Sequence, residues 1–119
     1  MPNLATLAWL VCGHGLADFV LQSEAMMMYK SRRVYNILSP EKAAMIPPWG
    51  YWLGAHAMLH GGVVTALTGS ILLGALETIA HAVIDYMKCE GKISSNRDQV
   101  LHLLCKLLWW GILFIPVVH

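Results

Sequence analysis

Four apolar stretches of this chain, residues 4–22, 50–68, 70–88 and 99–118, carry or adjoin ionisable side chains spaced four residues apart. The first holds His14 and Asp18, and the second His56 and His60 in "HAMLH". The third holds Glu77, His81 and Asp85 in "ETIAHAVIDYMK", and the fourth opens on Asp98 and His102 in "DQVLH". On a helix, a spacing of four sets two side chains on one face, about 6 Å apart. Turned singly into an apolar medium, such groups cost several kcal/mol each. The stripes must therefore face one another, where the choices are mutual hydrogen bonding, water or a metal ion.

Composition supplies the expected solvent. Of 119 residues, 57% are hydrophobic and 13% charged, against roughly 25% charged in typical soluble chains. So short a chain makes one domain, residues 1–119, and lipid is the solvent this composition predicts. Each apolar stretch approaches the ~20 residues of a spanning helix. The expected fold is all-α, an integral-membrane four-helix bundle. "MPNLATLAWL" has no basic lead-in and argues against a cleaved leader.

Charge sets the orientation. Lys30, Arg32, Arg33 and Lys42 fall between the first and second stretches, and Lys88, Lys92 and Arg97 at the junction of the third and fourth. The positive-inside rule places both loops in the cytoplasm and both termini outside. Met26, Met27, Met28 and Tyr29 beside Lys30, Arg32 and Arg33 suit an interfacial stretch. The five tryptophans fit interfacial anchoring in part. "LTGSI" reads as a tight turn, and Ser94, Ser95 or Asn96 as the cap of the last helix. A net charge of +1 gives no electrostatic footprint for nucleic acid. Cys12, Cys89 and Cys105 lack paired spacing and read as reduced thiols.

With that orientation the histidines and aspartates of all four stretches fall at one level, in the cytoplasmic half, with His60 and Glu77 deeper. Paired imidazoles one helical turn apart can grip one ion, as in HExxH zinc sites. The candidate ligands are His14, Asp18, His56, His60, His81, Asp85 and His102. They exceed the four ligands of a zinc site. Two sites, or one site with carboxylates orienting its imidazoles, both accommodate them. Nitrogen and oxygen ligands without thiolate suit a divalent transition metal, zinc first, then iron or manganese. The Glu-x-x-His pairs of carboxylate-bridged di-iron bundles are missing. Gln22 and Gln99 are placed to bind substrate or water. Lys88, one turn past Asp85, neutralises a phosphate or snorkels. A metal-free proton relay and a structural polar network remain the alternatives.

"HGLADFVLQ", "HAMLH", "HAVIDYMK" and "DQVLH" together resemble the motif set H-x3-D-F-x-L-Q, H-x3-H, H-x3-D-x2-K and D-Q-x2-H. That set marks a domain-of-unknown-function family of small integral-membrane proteins of bacteria and their phages. The resemblance implies a four-helix protein of the inner (cytoplasmic) membrane of a bacterium, encoded by the bacterium or a phage, and brings no established activity. By position it covers His14, Asp18, Gln22, His56, His60, His81, Asp85, Lys88, Asp98, Gln99 and His102; Glu77 lies outside the motifs.

The leading expectation is a metal-dependent hydrolase acting on a lipid or lipid-linked substrate at the cytoplasmic leaflet. The ion would acidify a bound water, with Asp18, Asp85 or Asp98 as ligand, orienter or general base. The alternatives are a small cation or proton transporter or channel, and a non-enzymatic phage or host membrane factor with a structural metal. Membrane lipids are the expected partners. The small residues of "GGVVTALTG" suit close helix approach, within the chain or in a homo-oligomer.

Overall fold

The chain's structure, a computed structural model, describes residues 1–116. Seven α-helices and one π-helical turn follow in order among them. They are α1 (Leu4–Gly15), the π turn (Leu16–Val20), α2 (Glu24–Tyr29), α3 (Arg32–Tyr35), α4 (Pro40–Met45), α5 (Trp49–Thr68), α6 (Ile71–Cys89) and α7 (Ser95–Ile112). Side-chain caps start most of them. Asn3 accepts from the Thr6 amide to open α1, and Ser23, Ser31, Ser39, Ser70 and Ser94 open α2, α3, α4, α6 and α7. Such caps satisfy amides that the first turn leaves without partners. Gly69 ends α5 in the left-handed region, at φ 73°, and Ser70 begins α6. The "LTGSI" turn and the cap at Ser94 are thus as the sequence predicts.

α1, α5, α6 and α7 pack around a polar interior, and α2 and α3 lie against α5. α5 and α6 approach most closely at paired glycines. A Cβ on Gly61 would stand 1.9 Å from Thr78 Oγ1 and 2.5 Å from the Gly74 carbonyl. A Cβ on Gly74 would stand 1.8 Å from Thr65 Oγ1 and 2.7 Å from the Gly61 carbonyl. The small residues of "HGGVV" are therefore used inside the chain. Apolar packing is concentrated at one end, in Leu10, Val64, Leu73, Trp109 and Leu113.

All-α stands, but the membrane four-helix bundle does not. No helix among the described residues is long and apolar enough to cross a membrane. The first expected span falls short: α1 has 12 residues and runs on only into the 5-residue π turn, at most about 25 Å of coil against a hydrocarbon core of about 30 Å. His56, His60 and the Gly61–Gly62 pair break the apolar run of α5, though not the helix; Glu77, Asp85 and Lys88 lie in α6, and Arg97, Asp98 and Lys106 in α7. Residues 117 and 118 of the fourth expected span lie outside the described residues. The integral-membrane assignment, the inner-membrane location and the inside-outside orientation fall with the spans. What misled the reading is visible: apolar side chains such as Trp9, Phe19, Met58, Ile79 and Leu104 lie on the outer faces, and composition counts them without placing them.

The basic loops have another use. Lys30 is buried against Asp85, Arg32 makes a two-pronged pair with Glu90, and Arg33 donates to the Glu90 carbonyl. Positive charge in residues 23–36 pins that segment to the end of α6. The tryptophans likewise serve hydrogen bonds: Trp52 Nε1 donates to the Pro47 carbonyl and Trp110 Nε1 to that of Asn3.

The glycine contact gives a direct test. Gly61→Ala is expected to destabilise the protein by about 1–3 kcal/mol, the range for overpacking, because backbone lies in the way. Gly62, whose Cβ would meet nothing within 4 Å, is expected to accept alanine with a gain of about 0.5–1 kcal/mol from helix propensity. Urea denaturation of the two variants decides; equal midpoints would contradict the close approach.

Candidate metal centre

Each helix of the bundle brings its stripe inward, and the stripes align in layers. From the Leu10 end, Glu77, Lys106 and Trp109 come first, then His14, His60, His81 and His102, then Asp18, His56, Asp85 and Asp98. Every side chain of that set except Trp109 is at most 5% exposed, and His56, Glu77, His81, Asp85 and Asp98 are at 0%. All of the sequence-predicted site residues are brought together, Gln22, Lys88 and Gln99 included.

The π turn is what positions Asp18. Its wider coil, closed by Leu21 N donating to the Leu16 carbonyl, replaces the α-helix expected there, and π turns are often found at functional sites. Asp18 Oδ1 then sits among three imidazoles. It lies 3.2 Å from His56 Nε2, 3.5 Å from His60 Nε2 and 3.9 Å from His81 Nε2. The rings are closely stacked: His60 and His81 are 3.6 Å apart between centroids, and His81 and His102 4.2 Å.

Gln99 reads out one tautomer. Its Nε2 donates to Asp18 Oδ2 at 2.7 Å and to Asp98 Oδ2 at 3.1 Å, and its Oε1 lies 3.1 Å from His14 Nε2. Only the NH₂ end can serve two carboxylates, so the oxygen faces His14 and takes a hydrogen from Nε2. His14 Nδ1 then keeps its lone pair, and it is buried with no hydrogen bond. His60 Nε2, both ring nitrogens of His81 and both of His102 are buried in the same condition. Buried polar atoms normally find partners, so this many unpartnered ring nitrogens in one place is unusual.

Among the described residues, three sets of ligand atoms lie mutually within 4.8 Å: Asp18, His56, His60 and His81; His14, His81 and His102; and Asp85, Asp98 and His102. Behind them, Glu77 takes Lys106 on Oε1 and Trp109 Nε1 on Oε2 at 2.6 Å, with His81 Nδ1 3.6 Å from Oε1. Lys30 holds Asp85 Oδ2 at 2.5 Å, and Lys88 lies 3.3 Å from both Asp85 Oδ1 and Asp98 Oδ2. Lys30, Lys106 and Trp109 escaped the sequence reading as members of the site. Lys106 continues the Asp98–His102 spacing and was legible in principle; Lys30 comes from a loop and had no local signal.

Burial and charge shape the titrations. Burial pushes His14 down to about 4 and His81 to about 3, and lowers His60. Burial works to raise the carboxylates, yet each is brought below its ordinary value by its partners. His56, His60 and Gln99 do so for Asp18, Lys30 and Lys88 for Asp85, and His102 and Lys88 for Asp98. His81, Lys106 and Trp109 bring Glu77 to about 2. Four carboxylates (Asp18, Glu77, Asp85, Asp98) face three lysines (Lys30, Lys88, Lys106) in this interior, an excess of one carboxylate.

One cleft reaches this interior. It measures about 270 Å³ and is lined by Asp18, Phe19, Gln22, Met27, Lys88, Ser95, Asp98 and Gln99. Gln22 stands at the rim, donating to the Asp18 carbonyl. Cys12, Cys89 and Cys105 are unpaired and lie outside all three ligand sets.

Metal-free protein should lose stability on acidification. His14 and His81 bind protons near pH 6.5 when unfolded but only near 4 and 3 when folded, so the unfolded state holds more protons across that window. Their contribution is whole above about pH 6.5 and falls by on the order of 1.4 kcal/mol per pH unit for each histidine below it. Urea midpoints from pH 7 to pH 4 check this, and a midpoint that is flat or rising on acidification contradicts it.

No curated protein and no solved structure matched the chain. A family model described as "Protein of unknown function (DUF3307)" matches residues 6–118. The resemblance carried by the four motifs is to a family of that description, and the match covers nearly the whole sequence: the chain belongs to the DUF3307 family.

Proposed function

We propose that the chain is a metal-dependent hydrolase with an ion, zinc by preference, on His56, His60, His81 and Asp18. The observation that carries this reading is the convergence of three imidazole nitrogens on Asp18 Oδ1, at 3.2, 3.5 and 3.9 Å. Bonds of 2.0–2.1 Å to a tetrahedral zinc imply ligand-to-ligand edges of about 3.4 Å. The excess of buried carboxylates over lysines supports it as well, since a cation there would help to balance it. Glu77, 3.6 Å from His81 Nδ1, stands where a carboxylate that orients a ligating imidazole would stand.

Bound there, the ion would bring the acidity of a coordinated water close to neutrality. The rest falls to the chain. Asp18 alone of the four lines the cleft, so it is the member of the set that would face an entering water or substrate. Gln99, bonded to Oδ2, orients this carboxylate, which would accept the proton of that water. Lys88 and the Gln22 amide face the substrate from the rim, while Phe19 and Met27 suit hydrocarbon next to the reacting group. A through-path for a cation or proton is the weaker reading, because Leu10, Val64, Leu73, Trp109 and Leu113 close the opposite end.

Protein purified without chelator should carry zinc by elemental mass spectrometry, and His56→Ala/His60→Ala should lose the equivalent bound at this site. Glu77→Gln is expected to bind the same amount about 10–100-fold more weakly. No metal in the parent protein, or undiminished metal in the double variant, overturns the reading.

A further inference from the structure

Asp85, Asp98 and His102 form a ligand set that shares no residue with the one above. Both ring nitrogens of His102, Asp85 Oδ1 and Asp98 Oδ1 are buried without a hydrogen bond, and the three residues are at most 1% exposed. His102 Nε2 comes within 3.2 Å of Asp98 Oδ1, close but not aligned as donor and acceptor. Atoms that converge without bonding to one another are arranged for something between them. Beside them is the Lys88 ammonium, 3.3 Å from Asp85 Oδ1 and 3.3 Å from Asp98 Oδ2, the oxygen to which it donates. Lys88 differs from the other two lysines of the interior: Lys30 and Lys106 are sealed in, whereas the Lys88 side chain is 27% exposed and lines the cleft.

We infer that Asp85, Asp98 and His102 are a second cation site, for an oxygen-preferring divalent ion such as Mn²⁺, and that Lys88 is its displaceable internal competitor. Two carboxylates and one imidazole make a harder donor set than three imidazoles and one carboxylate, so the two sites prefer different ions. Asp85 joins them. Its Oδ2 lies 3.6 Å from His56 Nε2 and 3.9 Å from His81 Nε2, while its Oδ1 faces Lys88. One carboxylate, held at Oδ2 by Lys30, thus borders both ligand sets. On entry of the second ion, Lys88 swings into the cleft, where an anionic substrate would meet it. The inference extends the hydrolase reading but uses different residues.

The test is a Mn²⁺ titration of zinc-loaded protein, followed by loss of the free-ion electron paramagnetic resonance signal. One Mn²⁺ per chain is expected, with zinc content unchanged. Asp98→Asn and His102→Gln should each lose the Mn²⁺ and keep the zinc. Lys88→Met should bind Mn²⁺ at least tenfold more tightly than the parent, with Lys88→Gln as a second variant and circular dichroism confirming the fold of each. Zinc uptake without Mn²⁺ uptake overturns the second site and leaves the hydrolase ion standing. Mn²⁺ uptake lost in Asp98→Asn, in protein that takes no zinc, sustains the second site and removes that ion. Mn²⁺ binding unaltered by Lys88→Met or Lys88→Gln overturns the competition, and uptake of neither ion overturns both.

Discussion

A charge taken out of water must be matched, and this interior is built around that requirement. Asp18, Glu77, Asp85 and Asp98 are buried among histidines, and breaking a buried pair by removing one partner typically costs 3–5 kcal/mol. Each carboxylate therefore dictates something about the chain around it. Glu77 requires Lys106 and Trp109 from α7, which ties α6 to α7 next to the apolar end. Asp85 requires Lys30, which draws residues 23–36 onto the bundle and lets Arg32 and Arg33 grip Glu90. Asp18 requires Gln99, which ties the π turn to α7. The packing of the helices and the chemistry of the interior are one problem solved by the same side chains.

The interior is graded along its length. At one end Leu10, Val64, Leu73, Trp109 and Leu113 exclude water; at the other, Asp18, Asp98, Gln99 and Lys88 open to the cleft. The imidazoles lie between, kept neutral at His14, His60 and His81 by burial. A neutral imidazole offers a lone pair and a protonated one does not, so the burial that costs stability in acid also prepares nitrogen donors at neutral pH. Gln99 adds direction, fixing which nitrogen of His14 is left free.

Much of the site was legible because helical spacing is a local property. His14 with Asp18, His56 with His60, His81 with Asp85, and Asp98 with His102 each announce a face, and faces that cannot meet solvent cheaply must meet each other. The environment outside the bundle was not legible. Apolar residues were counted, but their division between short helices, an interior of charged groups and exposed outer faces is set by tertiary packing. The basic loop misled for the same reason: Lys30, Arg32 and Arg33 read as a topology signal, whereas they pair with Asp85 and Glu90 more than fifty residues away. Nor could spacing show the π turn at Leu16–Val20, since it is the wider coil there that brings Asp18 Oδ1 into the ring of imidazoles.

The central claim is that three imidazoles and a carboxylate of this interior hold a zinc ion. X-ray absorption at the zinc edge, on protein carrying one equivalent, tests it most directly. The account predicts a shell of nitrogen and oxygen at about 2.0–2.1 Å, with the outer scattering of about three imidazoles. A sulfur shell at about 2.3 Å, or light-atom scattering without imidazole, would place the ion elsewhere and contradict the account.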